Sequence, residues 1–275
     1  MNKLAVILII AHKPILNDAE IASLKQCYLI LSNYSIKLVC PEGMDISVYK
    51  TVNEKADIVF IDPKWQATYK MFNELKKSNY LLKKFIDYQY LLFYELDAWV
   101  FKDELAYWCN KNYDYNGAVW FDGWENASCE SKMIGIGNGG FSLRKVSTSL
   151  LILKRINTIK IIRNFWYKSF FLRVIKFNYF ILPFSKLLKI KNTIHLNDAL
   201  FNVGINEDYF WTQIGAKVFS DFKLAPLDDA FKFSFEVNAS LLFKKNNNQL
   251  PFGCHAWQRY EPDFWKKSIP FIIKT

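Results

Sequence analysis

Tyr90-Leu91-Leu92-Phe93-Tyr94-Glu95-Leu96-Asp97-Ala98-Trp99-Val100-Phe101 decides the fold: two carboxylates, Glu95 and Asp97, stand inside an almost wholly apolar run. A continuous run of this kind is the pattern of a strand buried on both faces of a mainly parallel sheet, because helices cover both sides of such a sheet. Carboxylates are seldom fully buried without a partner, since taking the charge out of water is costly. Glu95 and Asp97 are therefore expected where the strand leaves the core, at its carboxyl end, which is where open α/β sheets bind ligands. Spaced by two on a strand, they point to one side and can jointly meet a cation, a ribose or a proton. The plainer alternative is an ion pair with a nearby Lys or Arg.

Outward from this stretch, strand and helix signals alternate. Leu4–Ala11 reads as a first strand, followed by a loop at His12. Ile15–Ser32 has helical apolar spacing with Asn17 or Asp18 as cap. Ser35–Cys40 and Ala56–Ile61 read as strands, Gln66–Lys84 as a helix, Asp103–Asn110 as a short helix and Tyr115–Phe121 as a further strand. This order implies right-handed crossovers and a parallel sheet flanked by helices. The run Leu4–Ala11 is too short to span a membrane and lacks a small-residue cleavage site, so it reads as a strand and the chain as cytoplasmic.

The 275 residues are 51% hydrophobic, enough for one α/β domain with an insertion. Aromatic residues make up 17%, more than a core requires, which places part of them at a cleft or interface. Five widely spaced cysteines with no CxxC pair read as reduced thiols. The net charge of +10 is uneven: residues 131–197 hold 13 Lys and Arg and no Asp or Glu, so the rest sums to −3. The basic insertion, residues 148–195, mixes Trp and Phe with Lys154, Arg155, Arg163, Lys168 and Arg173 at helical intervals. Such a segment can lie on an anionic membrane, and no run in it is long and apolar enough to cross one; a helical hairpin with a solvated basic face is the alternative. No nucleic-acid-binding module accompanies the basic patch, so nucleic acid is excluded as the partner.

Three further segments carry chemistry. Gly135, Gly137 and Gly140 fit GxGxxG by letter, but they follow several strands and no acidic residue lies about twenty positions on, which argues against a dinucleotide site. The glycines permit close approach of a ligand to backbone N–H groups, with Arg144 near enough to neutralise a phosphate; a tight turn before a helix is the alternative. Asn206-Glu207-Asp208 places two carboxylates at a helix start, where they either favour the helix dipole or supply a general base. His255 lies in a glycine-containing loop between aromatics, a packed imidazole or a metal ligand.

Taken together, Tyr94–Phe101, Gly137–Arg144, Asn206-Glu207-Asp208 with Phe210-Trp211, and Pro251–Trp257 resemble, in collinear order, bacterial glycosyltransferase-like proteins of GT-A type, common in gene clusters for surface polysaccharide. The resemblance covers about residues 60–265 and leaves the basic insertion unexplained. It implies a single GT-A-like (Rossmann-like) α/β domain, with a nucleotide-sugar half over residues 1–130 and an acceptor half over 131–275. It makes Asp97 the equivalent of the family's DxD metal motif, with Trp99 where a second Asp would stand. Asp97 and His255 become the expected ligands of Mn²⁺ or Mg²⁺, with Glu95 a substitute if its backbone turns inward.

The same resemblance implies donor contacts from His12, Glu95, Asp97, Gly137, Asn138, Gly139, Gly140 and Arg144, and acceptor contacts from Trp211 and Trp257. It implies Asp208 as general base of an inverting transfer, with Glu207 touching the acceptor or trading roles with it. The expected activity is transfer of a sugar from a nucleotide-sugar donor, UDP-linked, to a lipid-linked or growing surface polysaccharide at the inner membrane face. A binding protein without catalysis and a nucleotidyl- or phosphotransferase are the alternatives.

Overall fold

The computed structural model describes residues 3–168, with the backbone alone at 166–168, and residues 179, 181–191 and 205–270. Strands β1 (Lys3–Ile10), β2 (Ser35–Pro41), β3 (Asp57–Ile61) and β4 (Tyr88–Tyr94) alternate with helices α1 (Asp18–Ile30), α2 (Ser47–Val52), α3 (Tyr69–Lys76) and α4 (Asn79–Lys84). With β6 (Tyr115–Asn116) and β9 (Phe141–Lys145) they form a six-stranded sheet in the order β3-β2-β1-β4-β9-β6. β3, β2, β1 and β4 run parallel, and β9 lies antiparallel between β4 and β6. The expected class, α/β with a mainly parallel central sheet flanked by helices, is the one observed.

The apolar run of β4 has the cause the sequence suggested. Leu91 and Phe93 join one buried cluster with Val6, Leu8 and Ile10 of β1, while Tyr90, Leu92 and Tyr94 join the cluster on the other face with Ala5, Ile7 and Ile9. Period-2 alternation thus sends successive side chains to two apolar layers. The chain leaves β1 toward β2 and β3, then returns to β4 on the other side of β1. The crevice between the carboxyl ends of β1 and β4 is therefore the topological switch point of the sheet.

Four local expectations change. The run Tyr90–Phe101 is two strands, because the chain turns after Tyr94 with Ala98 N–H donating to Glu95 O at 2.9 Å. β5 (Trp99–Val100) then enters a second, three-stranded sheet of order β10-β11-β5, with β10 (Ser234–Phe235) and β11 (Gly253–Cys254). Gln66–Lys84 is broken into α3 and α4, because Thr68 and Ser78 each accept a backbone N–H, from Met71 and Leu81, and so start separate helices. Tyr115–Phe121 divides at Gly117 into β6 and β7 (Ala118–Phe121), and β7 pairs instead with β8 (Met133–Gly137). The glycine turn leads into β9, not into a helix.

The basic insertion is described in part. Helix α6 (Val146–Lys168) buries Ile152, Ile156 and Ile159 in the core beside β4 and exposes Lys154 and Lys160. Arg155 does not face solvent as a free cation: its guanidinium holds Asp221 with two contacts, at 2.6 and 3.0 Å. Arg173, the side chain of Lys168 and residues 192–204 lie outside the described residues. Among the described residues no helix is long and apolar enough to cross a membrane.

Candidate functional site

A cleft of about 540 Å³ opens beyond the carboxyl end of β4, within the size range of small-molecule sites. Glu95 and His255 line it, and together with the adjoining Asp97 they offer ligand atoms that all lie within 4.8 Å of one another. Glu95 and Asp97 reach this place through the turn after β4, not as neighbours on one strand face. The small sheet supplies the third group: β11 pairs antiparallel with β5, setting Cys254 opposite Trp99 and so His255 beside Asp97. β10 runs parallel to β11, and His255 N–H donates to Phe235 O at 3.0 Å, which brings Glu236 alongside the imidazole.

His255 Nδ1 lies 2.9 Å from Glu236 Oε1, while Nε2 lies 3.1 Å from Asp97 Oδ1 and 3.8 Å from Glu95 Oε2. Nε2 is buried and has no aligned hydrogen bond despite these distances. An imidazole held through Nδ1 by a carboxylate, with its other nitrogen turned on two carboxylates, fits a divalent cation of the Mn²⁺ or Mg²⁺ type. Burial would lower the His255 pKa, but Asp97, Glu236 and Glu95 together hold it well above its ordinary value. Burial would raise the Glu95 carboxyl, yet the Lys76 ammonium paired with it, helped by His255, holds it well below the usual carboxylate range. The ion-pair alternative weighed for this stretch is thus present as well, on Glu95.

The acidic pair opens a short helix at Glu207–Tyr209, which continues through a π-helical segment, Phe210–Gly215. The two carboxylates part company there. Glu207, 2% exposed, meets Arg144 at 2.7 Å and Lys76 at 3.5 Å, and its N–H donates to Asn73 Oδ1 at 3.1 Å. Asp208 lines the cleft, accepting N–H groups of Asn138 at 3.1 Å and Tyr209 at 2.7 Å. Burial and, second, the neighbouring Glu207 push its carboxyl from the ordinary 3.8 up to about 6. A carboxyl poised there is suited to taking a proton near neutral pH.

The glycine segment serves these groups. Asn138 adopts φ +83, and its Oδ1 accepts the N–H groups of Gly140 and Phe141 at 2.8 and 3.2 Å, while Tyr115 donates to its carbonyl. A Cβ on Gly137 would strike the Trp120 ring at 1.8 Å, on Gly139 Glu207 Oε1 at 2.0 Å, and on Gly140 His255 Nε2 at 2.0 Å. Site side chains therefore fill the Cβ side of these glycines, while Asn138, Gly139 and Gly140 line the cleft. We expect Gly140→Ala to displace His255 from Asp97 and to abolish Mn²⁺-dependent thermal stabilisation while the fold persists; unchanged Mn²⁺ binding by calorimetry would contradict this.

Other residues lie elsewhere than expected. Arg144, 1% exposed, is covered by Glu207 and stacks on Phe93 at 4.1 Å, so no phosphate reaches it. Trp211 stacks on Phe222 and Trp257 meets Trp99 edge-on, both 1% exposed in the core and away from the cleft. Their apolar neighbours explain the burial, and neither can touch an acceptor. His12 follows β1 at the rim, 6.4 Å from the Phe72 ring that forms part of the cleft wall. Lys76, Glu236, Trp120, Trp124 and Tyr209 face the cleft and were not singled out from sequence. Only Tyr209 carried a signal, its place next to Asp208.

The chain is similar in structure to three glycosyltransferases among others. To the galactosyltransferase LgtC in complex with donor and acceptor sugar analogues it shows a TM-score of 0.45 at 12% identity, covering 97% of this chain and 94% of that one. For mouse xyloside xylosyltransferase 1 the TM-score is 0.46 at 11% identity, covering 93% and 97%. For core-mannan synthase A from Aspergillus fumigatus, in its Mn/GDP form, it is 0.44 at 11% identity, covering 82% and 73%. No curated protein matches the sequence. Residues 55–255 match the family described as Protein of unknown function (DUF5672), and the chain belongs to that family.

Proposed function

We propose that this protein is a metal-assisted glycosyltransferase of GT-A type that moves a sugar from a nucleotide-sugar donor to a glycan acceptor. One observation carries the reading: a cleft at the carboxyl end of β4 is lined by Glu95 and His255, which with Asp97 could hold a cation, and by Asp208, a carboxyl raised to about 6 by burial. A divalent cation held by Asp97 and His255, with Glu95 beside them, would offset the charge of the departing diphosphate. Asp208 takes the proton of the acceptor hydroxyl as its oxygen bonds to the anomeric carbon and the carbon–oxygen bond to the diphosphate breaks, which inverts that carbon. Asn138 N–H and Tyr209 N–H orient the carboxylate for this step, and Lys76 keeps Glu95 ionised.

The donor is proposed as UDP-linked and the acceptor as a lipid-linked surface glycan, with the protein peripheral at the cytoplasmic face of the membrane. Exposed Ile161 and Phe165 on the helix that also exposes Lys154 and Lys160, with exposed Leu182 and Leu187 later in the insertion, support membrane contact. The test is thermal stability with a panel of nucleotides and nucleotide sugars, each with Mn²⁺ and with EDTA. A donor at about 100 times its dissociation constant adds roughly 2.7 kcal/mol. A shift that needs Mn²⁺ is expected for one nucleotide class, and no shift with any of them would overturn the reading.

A further inference from the structure

Three rings on the Asp208 side of the cleft are arranged in a way that packing alone does not require. Trp120 of β7 packs against β8, where Gly137 leaves room for it: a Cβ there would stand 1.8 Å from the indole. Trp124 meets Trp120 at 5.0 Å between centroids, and Tyr209, next to Asp208, stacks on it at 6.3 Å and 25°. Trp124 is 49% exposed and Tyr209 38%. Trp124 also has φ +52, after Gly123 at φ +86. A bulky side chain in the left-handed region is a strained state that persists only when the surroundings impose it, and such outliers cluster at ligand sites.

We infer that Trp120, Trp124 and Tyr209 form the acceptor subsite, stacking the C–H face of a neutral pyranose so that one of its hydroxyls meets Asp208. This rests on the transferase reading. Aromatic faces are electron-rich and attract the weakly positive C–H groups that line one side of a sugar ring, while excluding water from them. The charge around the platform selects the kind of sugar. Asp208 and Glu125 line this side; Arg259 is tied to Glu125 in an ion pair, and the nearby Lys76 and Arg144 are held by Glu95 and Glu207. Anionic sugars therefore meet carboxylates here, whereas neutral hexosides and N-acetylhexosaminides meet hydrogen-bond acceptors.

Saturation-transfer NMR with methyl hexosides, methyl N-acetylhexosaminides and methyl glucuronides, with Mn²⁺ and with or without nucleoside diphosphates, tests this on wild type, Trp124→Phe and Trp124→Gly. Glycine adopts the φ of position 124 without strain, so Trp124→Gly is expected to fold and to melt above wild type. Neutral glycosides are expected to bind wild type and Trp124→Phe, and to bind Trp124→Gly about tenfold more weakly, the loss of one good stacking contact. Equal binding of neutral glycosides to wild type and Trp124→Gly overturns the inference, as does preference for glucuronide. Absence of neutral glycoside binding while nucleotides still shift the melting temperature overturns the acceptor subsite alone. Glycoside binding at Trp124 without any nucleotide effect keeps the platform and overturns the transferase reading.

Discussion

Asp208→Asn is expected to lower transfer by about 10²–10⁴-fold, the usual contribution of a general base, with little change in donor-induced thermal shift. The wild-type rate should rise with pH as Asp208 loses its proton, with an inflection near the value of about 6 to which burial has pushed its carboxyl. The same shift links to stability with a definite sign. The fold holds the Asp208 proton more tightly than the unfolded chain does, so the cost of ionising it is absent below the ordinary 3.8 and complete above about 6. Wild type should therefore lose about 1–3 kcal/mol relative to Asp208→Asn between about pH 4 and pH 7. The comparison across pH matters more than either absolute value, because Asn turns a donor toward one of the two backbone N–H groups. A folded Asp208→Asn with near-normal turnover, or a flat rate profile across this range, would remove Asp208 from the mechanism.

The largest effect on stability is expected from Arg144→Leu. Its guanidinium is buried between Glu207 and the Phe93 and Tyr115 rings. Removing one partner of a buried pair leaves the other charge uncompensated, which costs about 3–5 kcal/mol, or roughly 10 °C in melting temperature for a domain of this size. Glu207→Leu combined with Arg144→Leu should recover much of that loss, because apolar groups of similar volume replace a buried pair at little cost. Donor-induced stabilisation should survive in the double variant. If instead Arg144→Leu kept its stability and lost donor binding, the guanidinium would be a phosphate ligand and its burial beneath Glu207 would not hold in solution.

Lys76 joins the two halves of this arrangement. Its buried ammonium pairs with Glu95, donates to Gly139 O at 3.0 Å and lies 3.5 Å from Glu207. It therefore sits between the Glu95-Asp97-His255 group and the helix that carries Asp208. The site is coupled by charge as well as by shape, and substitutions at Glu95 and Glu207 should not act independently of each other.

How much of this was legible in the chain depended on the range of the interactions involved. The parallel sheet and the emergence of Glu95 and Asp97 at its carboxyl edge follow from local facts: unbroken apolar strands, helical spacing between them, and the cost of burying carboxylates. Asn17 or Asp18 as the cap of α1 was legible for the same reason, and the structure settles on Asn17, in a capping box with Glu20. Association of His255 with Asp97 rested on the resemblance, since a separation of this length along the chain leaves no local pattern, and two residue pairs between β11 and β5 create it.

The tertiary structure alone decided which groups the cleft receives. Glu207 and Asp208 are adjacent carboxylates, indistinguishable by type, but they point about 100° apart on a helix. Arg144 and Lys76, inward on β9 and α3, pair with Glu207, while Asp208 is left to the N–H groups of Asn138 and Tyr209. Trp211 and Trp257 look as available as Trp120 and Trp124 until their distant neighbours are in place. Phe222 and Trp99 then bury the first two, and β8 backbone and a left-handed turn hold the others open. The sequence determined where a site would form, because that depends on strand order and on which residues avoid the core. Which side chains it presents depended on long-range pairing, because burial is a property of the partners a residue meets and not of the residue itself.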